Sequence, residues 1–231
     1  MTQSMALYGW VYNLTDYYQM FDLTEADLKK RLFDFPGGIS SFNAELFQQG
    51  VHVVSGDASY DMTLPAITQK ANTIFEANKT FLSANHERFP EGSDALLQQV
   101  FNQWLLSKQL FLADYEKGVD DQRYRCITMP HLPFDDDAFE LALCSDFLAI
   151  TQSTSHVTSA QLIAELCRIA EEVRIYPLMD TQGNMNEALG PVMLQLQQDN
   201  FGVEVREVSY EQQLGGNAML RVWSKECAVS S

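Results

Sequence analysis

Short apolar runs of strand length alternate along this chain with stretches whose apolar residues recur at helical spacing. Residues 32–35 form the first such run, and Pro36-Gly37-Gly38 breaks it. Ser40-Ser41 then caps a helix carrying Phe42, Ala44, Leu46 and Phe47 on its apolar side. Gly50 closes that helix, and Val51, Val53 and Val54 predict a second buried strand. Further strands are predicted at 126–128, 139–144, 172–178, 203–208 and 219–223, the last preceded by the turn Gly215-Gly216-Asn217. Helices are predicted at 160–170 and 188–199, with Gly190-Pro191 near the start of the second. Residues 5–30 read as helical, broken or capped near Thr15 or Asp16, with Thr24 as a second cap. From 61 to 125 the pattern is long amphipathic helix, punctuated at 91–94. A crossover needs far fewer residues than that, so the excess reads as a helical insertion.

Strands alternating with helices, followed by two strands close together, predict an open α/β sheet. The final pair adds an antiparallel edge strand to a mostly parallel sheet. The expected organisation is a single domain over 1–231, with an N-terminal helical segment at 1–30 and the insertion at 61–125.

Chemistry enters at residues 31–60, which read as strand, glycine turn, helix, strand and acid. That is the layout of a nucleotide-binding βαβ unit. Gly37 and Gly38 let the backbone approach a ligand, and Asp57, about twenty residues on, can accept from a ribose hydroxyl pair. Those hydroxyls occur in NAD as well, so Asp57 does not choose between adenosine cofactors. Asp34 ends the first strand, where its carboxylate either orders the glycine loop toward a cofactor or caps the next helix.

Charge narrows the class of partner. The chain carries 31 acidic against 15 basic residues, a net charge of −16, which argues against nucleic acid or an anionic membrane as partner. Hydrophobic residues make up 46% of the chain, ample for a core. Cys126, Cys144, Cys167 and Cys227 show no metal-ligand spacing, and Cys144 and Cys167 sit in apolar patterns as buried thiols of a reducing compartment. The four histidines show no helical i, i+4 pairing, so no metal site is expected. No signal peptide and no run of about 20 apolar residues is apparent. A soluble cytoplasmic protein is the expectation.

The segments DFPGG followed by a helix, a strand and GD, and then MPHLPFDDDAFELALCSDFL, resemble the class I S-adenosylmethionine-dependent methyltransferases. Within that superfamily the chain is similar to a poorly characterised bacterial branch. The shared motifs are DYY at 16–18, DFPxGxSSF at 34–42, PHLPF at 130–134, CSxFL at 144–148, VRIxPL at 173–178 and GGNxML at 215–220. The superfamily's first loop is D-x-G-x-G-x-G, and here Pro36 replaces its first glycine and Ser40 its third.

The resemblance implies a three-layer Rossmann-like sheet and S-adenosylmethionine as cofactor. It implies methyl transfer to a small-molecule acceptor, with orientation of the two reactants as the main catalytic effect. It places Asp34, Gly37, Gly38, Ser40 and Asp57 at the cofactor, with Tyr60, His131, Ser145 and Tyr18 as further contacts. His131 and its neighbours Met129, Pro130 and Leu132 would border the adenine. Tyr17 or Tyr18 would contact the methionine part or the acceptor from the N-terminal helix. Asp146 would act as general base or favour the sulfonium charge. Insertion residues such as Phe81, Trp104 and Tyr115 would line the acceptor pocket. A non-catalytic cofactor-binding relative and an NAD-dependent oxidoreductase are the alternative readings.

Overall fold

The computed structural model describes residues 10–90, 94–147, 159–180 and 182–224. Its centre is a seven-stranded sheet. The strands are β1 (Leu32–Asp34), β2 (Val53–Asp57), β3 (Tyr124–Cys126), β4 (Phe139–Ser145), β5 (Ala170–Tyr176), β6 (Phe201–Glu207) and β7 (Ala218–Ser224). Their order is β3-β2-β1-β4-β5-β7-β6. The first five run parallel, and β7 is antiparallel to both β5 and β6. This is the mostly parallel Rossmann-like sheet with an antiparallel C-terminal edge that the sequence pattern predicts.

Alternation along the strands divides the core into two faces. Phe33, Ala142, Cys144, Val173, Ile175 and Val222 face one side. There they pack on α5 (Ser159–Ile169) and α6 (Leu189–Gln198), through Leu162, Leu166, Val192 and Leu196. Leu32, Val53, Leu141, Leu143 and Met219 face the other side. They meet α1 (Leu14–Met20) and α2 (Phe42–Gln48), through Tyr17, Met20, Phe42 and Leu46. Cys144 and Cys167 are buried, as their apolar contexts predict.

Between β2 and β3 run two long helices, α3 (Leu64–Ala84) and α4 (Asp94–Asp120). They enclose a third apolar cluster with Ile67, Ala71, Phe111, Tyr115 and Tyr124. The 61–125 helical region is thus the β2-to-β3 crossover itself. Its predicted punctuation at 91–93 lies outside the described residues. The third strand begins two residues earlier than the pattern predicts, because Tyr124 and Arg125 pair with Ser55 and Gly56.

At the N-terminus the structure corrects the expectation of helix over 5–30, of which residues 5–9 are not described. Residues 10–13 are not helical, and α1 is a seven-residue helix. Asn13 caps α1 by accepting from the Asp16 N–H, while the Asp16 carboxylate accepts from the Asn13 N–H. Residues 24–30 form only a 3₁₀ turn, Asp27–Lys29, because the Asp27 carboxylate is drawn inward to Arg174. Arg174 is 6% exposed on β5 and also donates to Glu172 and to the Phe21 carbonyl. That pairing of a strand arginine with acids is what burial of a guanidinium requires. No helix of the described residues is long and apolar enough to cross a membrane.

Candidate functional site

Strand order reverses at β1, which has β2 on one side and β4 on the other. In open α/β sheets the crevice beyond the carboxyl ends of the strands at such a point is where ligands bind. A cavity of about 300 Å³ lies there, within the range of small-ligand sites.

The loop after β1 forms its floor. Gly38 has φ +56°, and a Cβ there would point into open space, so glycine gives this turn an unstrained backbone facing the cavity. Gly37 serves a different need. A Cβ on it would stand 2.5 Å from the Tyr60 hydroxyl, 3.0 Å from the Ser55 Cβ and 3.2 Å from the Asp34 carboxylate. Its N–H donates to the Gly56 carbonyl at 2.8 Å, drawing the loop down onto β2. Gly37 is therefore set by the close approach of loop and sheet, although it too borders the cavity.

Asp57, at the end of β2, lines the cavity. One oxygen accepts from the Gly38 N–H at 3.2 Å. The other accepts from the Ser59 N–H and hydroxyl at 2.8 and 2.6 Å, and stands 3.8 Å from the Lys70 ammonium on α3. The glycine loop and the acid, nineteen residues apart, are thus directly bonded.

Beneath the loop lies a buried polar layer. Asp34 is 1% exposed and accepts from the Tyr17 hydroxyl at 2.8 Å and the Ser55 hydroxyl at 2.9 Å. Burial outweighs both donors and pushes its carboxyl up to about 7. Tyr17 stacks on Phe42 with ring centres 4.0 Å apart, and the Ser145 and Ser40 hydroxyls reach the same phenol. Ser40 also accepts from the Phe42 N–H at the start of α2, where Ser41 makes no side-chain cap. Tyr60 is buried and donates to the Gly38 carbonyl at 2.9 Å. These side chains support the loop from below.

The opposite wall comes from the end of β4 and the segment before α1. Asp146 has φ +54° and is 7% exposed. A left-handed backbone at a non-glycine residue beside a cavity is a common mark of a functional turn. Its carboxylate accepts from the Trp10 N–H at 3.1 Å and the Tyr12 hydroxyl at 3.2 Å. Burial raises its carboxyl to about 6 in spite of these donors. The Tyr12 carbonyl in turn accepts from the Ser41 N–H and the Ser107 hydroxyl. Residues 10–12 are therefore strapped across the carboxyl edge of the sheet.

The structure gathers Gly37, Gly38, Asp57, Ser145 and Asp146 around one cavity, together with Thr128 and Met129. Asp34, Ser40 and Tyr60 lie one layer below. Two expected contacts fall elsewhere. His131 is exposed and is not among the residues lining this cavity, because the loop turns Leu132 inward instead and holds its N–H against Glu165. Tyr18 is half-buried against the apolar cluster beneath α1 and is not among the residues lining this cavity, while Tyr17 takes the position at Asp34. Asn217 bonds Glu207 across the β6–β7 turn and is a hairpin residue. Of the three aromatics expected in an acceptor pocket, Trp104 lines a cavity. Tyr115 bonds the Met62 carbonyl and packs with Tyr124, and Phe81 packs edge-on to Trp10. Trp10, Tyr12 and Lys70 were not identified from the sequence, although the capping box Asn13-x-x-Asp16 marks residues 10–12 as lying ahead of the helix.

No known protein family profile matches the chain. It is 26% identical over 213 residues to a protein of Methanocaldococcus jannaschii described as uncharacterized, covering 90% of this chain and 92% of that one. Among solved structures it is similar to a SAM-dependent methyltransferase from Aquifex aeolicus, at 13% identity and a TM-score of 0.41, covering 90% of this chain and 91% of that one. It is also similar to a protein from Pyrococcus horikoshii, at 13% identity and a TM-score of 0.44, covering 91% and 89%.

Proposed function

We propose that this protein binds S-adenosylmethionine in the cavity at the β1–β4 switch point and transfers its methyl group to a small-molecule acceptor. The observation that carries this reading is the bonded pair of Gly38 and Asp57 facing Asp146 across one cavity. The open, positive-φ backbone at Gly38 fits close approach by a ligand, and the Asp57 carboxylate fits a vicinal diol. In this reading Thr128 and Met129 would flank the purine, and Ser145 and Asp146 would take the amino-acid part.

S-adenosylmethionine would supply a methyl carbon bonded to a cationic sulfur. The chain's own contribution is then placement and charge. Asp146 sets a carboxylate at the cavity wall, where it favours a nearby cation and can take a proton from an acceptor. Trp10 and Tyr12 line the same cavity and bond the Asp146 carboxylate. Orientation of two reactants can supply about 7–11 kcal/mol of barrier reduction without a strong base.

An NAD-dependent reading shares Asp57 but not the sheet. The dinucleotide fold orders its strands 3-2-1-4-5-6, whereas here an antiparallel β7 is inserted between β5 and β6. The test is photo-crosslinking with methyl-labelled S-adenosylmethionine. Labelling that S-adenosylhomocysteine competes away, NAD leaves untouched and Asp57→Ala abolishes supports the proposal. Labelling indifferent to all three contradicts it.

A further inference from the structure

A second, larger cavity of about 440 Å³ opens on the other side of the N-terminal strap. It shares Trp10 and Tyr12 with the first cavity, so the two spaces meet at these residues. Asp146 holds both residues at that boundary, through the Trp10 N–H and the Tyr12 hydroxyl. α4 closes the far wall with Trp104, and the segment before β7 contributes Tyr210 and Gln212.

Three observations describe what this space would hold. Its walls are aromatic: Trp104 and Phe89 lie 5.2 and 5.7 Å from Trp10 by ring centres, and Tyr210 lies 6.3 Å from Tyr12. Its charge has one sign. Asp16, Glu45 and Glu211 border it, and none of its described lining residues is lysine, arginine or histidine. Aromatic faces and carboxylates together favour a cation. The third observation is independent of the other two. Gln212 is 7% exposed, and neither the oxygen nor the nitrogen of its side-chain amide has a hydrogen-bond partner among the described residues. A buried amide without a partner, on the wall of a cavity, calls for one. It offers an acceptor to an N–H and a donor to a second polar group.

We propose that this second cavity seats the methyl acceptor, and that the acceptor is an amine carrying apolar substituents and at least one N–H. The inference rests on the cofactor reading above and names its substrate class. The ammonium form is what the acidic, aromatic space selects, and the long-range field of a chain at net charge −16 draws cations toward it. Where the two spaces meet at Trp10 and Tyr12, the amine gives up a proton to the Asp146 carboxylate, which lines the cofactor side of that boundary. Its freed lone pair forms the new nitrogen–carbon bond while the carbon–sulfur bond breaks, with that electron pair remaining on sulfur. The nitrogen, now positively charged, returns to neutrality by losing a second proton to solvent.

The test needs no cofactor. Trp10 and Trp104 both lie in the wall, so intrinsic fluorescence of the full chain reports occupancy. Three isosteric sets are titrated, each an amine, an alcohol and a carboxylate, on butyl, cyclohexylmethyl and phenethyl frames. Saturable binding of at least one amine, at least tenfold tighter than its alcohol and with no binding of its carboxylate, is the expected result. Gln212→Leu and the pair Glu45→Gln/Glu211→Gln each weaken that amine at least tenfold while S-adenosylhomocysteine binding is unchanged. Equal affinity across a set, preference for the carboxylate, or no saturable change with any frame overturns the proposal. Failure of the cofactor reading shows differently, as absence of S-adenosylhomocysteine binding in the same preparation with the amine preference intact.

Discussion

Replacing Asp34 with asparagine should flatten the pH dependence of stability. Asp34 is 1% exposed, and its folded carboxyl is pushed up to about 7 from an ordinary value of 3.8. In the folded state it keeps its proton over a range where the unfolded chain has lost it. The folded state therefore binds more protons, and stability falls as pH rises. The contribution is fully present below about pH 4, is lost as pH rises through about 7, and changes little beyond. At ~1.4 kcal/mol per decade of acidity, the whole span is about 4 kcal/mol, of which about 2 kcal/mol falls between pH ~5.5 and ~8. Asparagine keeps the shape and accepts from Tyr17 as Asp34 does. Its amide meets the Ser55 hydroxyl, which already accepts from Asn43, so a fixed penalty independent of pH is added. Urea unfolding of both proteins at the two pH values is the assay. The difference between Asp34→Asn and the parent should move by about 2 kcal/mol in favour of the variant on going to pH ~8. Parallel stability profiles, constant within ~0.5 kcal/mol, would refute the reasoning and place Asp34 as an ordinary ionised residue.

Other perturbations address the loop, the ligand acid and the strap. Gly37→Ala should cost about 1–3 kcal/mol in urea unfolding, because its Cβ meets the Tyr60 hydroxyl at 2.5 Å. Tyr60→Phe in the same chain should recover part of that loss, whereas equal losses in single and double variants would contradict the steric account. Asp57→Ala should leave the far-ultraviolet circular dichroism unchanged and weaken S-adenosylhomocysteine at least tenfold, as expected for loss of a charged partner to two hydroxyls. Tyr12→Phe removes a donor that holds the Asp146 carboxyl down, so Asp146 should titrate above its present value of about 6. S-adenosylmethionine affinity should then begin to fall at higher pH than in the parent. An unmoved or lowered midpoint would contradict the assignment of that bond.

The sequence carries most of the sheet because its signals there are local. Each strand is a short apolar run, and Gly50 (φ +81°) and Gly215 (φ +82°) mark turns that need a positive φ. The antiparallel edge was legible because Gly215-Gly216-Asn217 stands just before the last strand and leaves no room for a crossover helix. What the sequence hides is direction and distance. Tyr17 and Tyr18 are adjacent, and only the phase of α1 against the sheet sends one to Asp34 and the other to the margin of the apolar cluster. The bonds from Trp10 and Tyr12 to Asp146 join residues more than 130 positions apart, beyond any local pattern. Thr24 does bond the Asp27 N–H as a cap would, yet Arg174, nearly 150 residues away, takes the Asp27 carboxylate, and the turn stays short. His131 was placed at the cavity by its motif, but the Glu165 carboxylate fixes the next residue inward and leaves the histidine in solvent.

Calorimetric titration of the protein with S-adenosylhomocysteine, and separately with NAD, tests the central claim most directly. The account predicts one site of micromolar affinity for S-adenosylhomocysteine, lost in Asp57→Ala, and no heat from NAD. Binding of NAD, or an intact fold that binds neither, would contradict it.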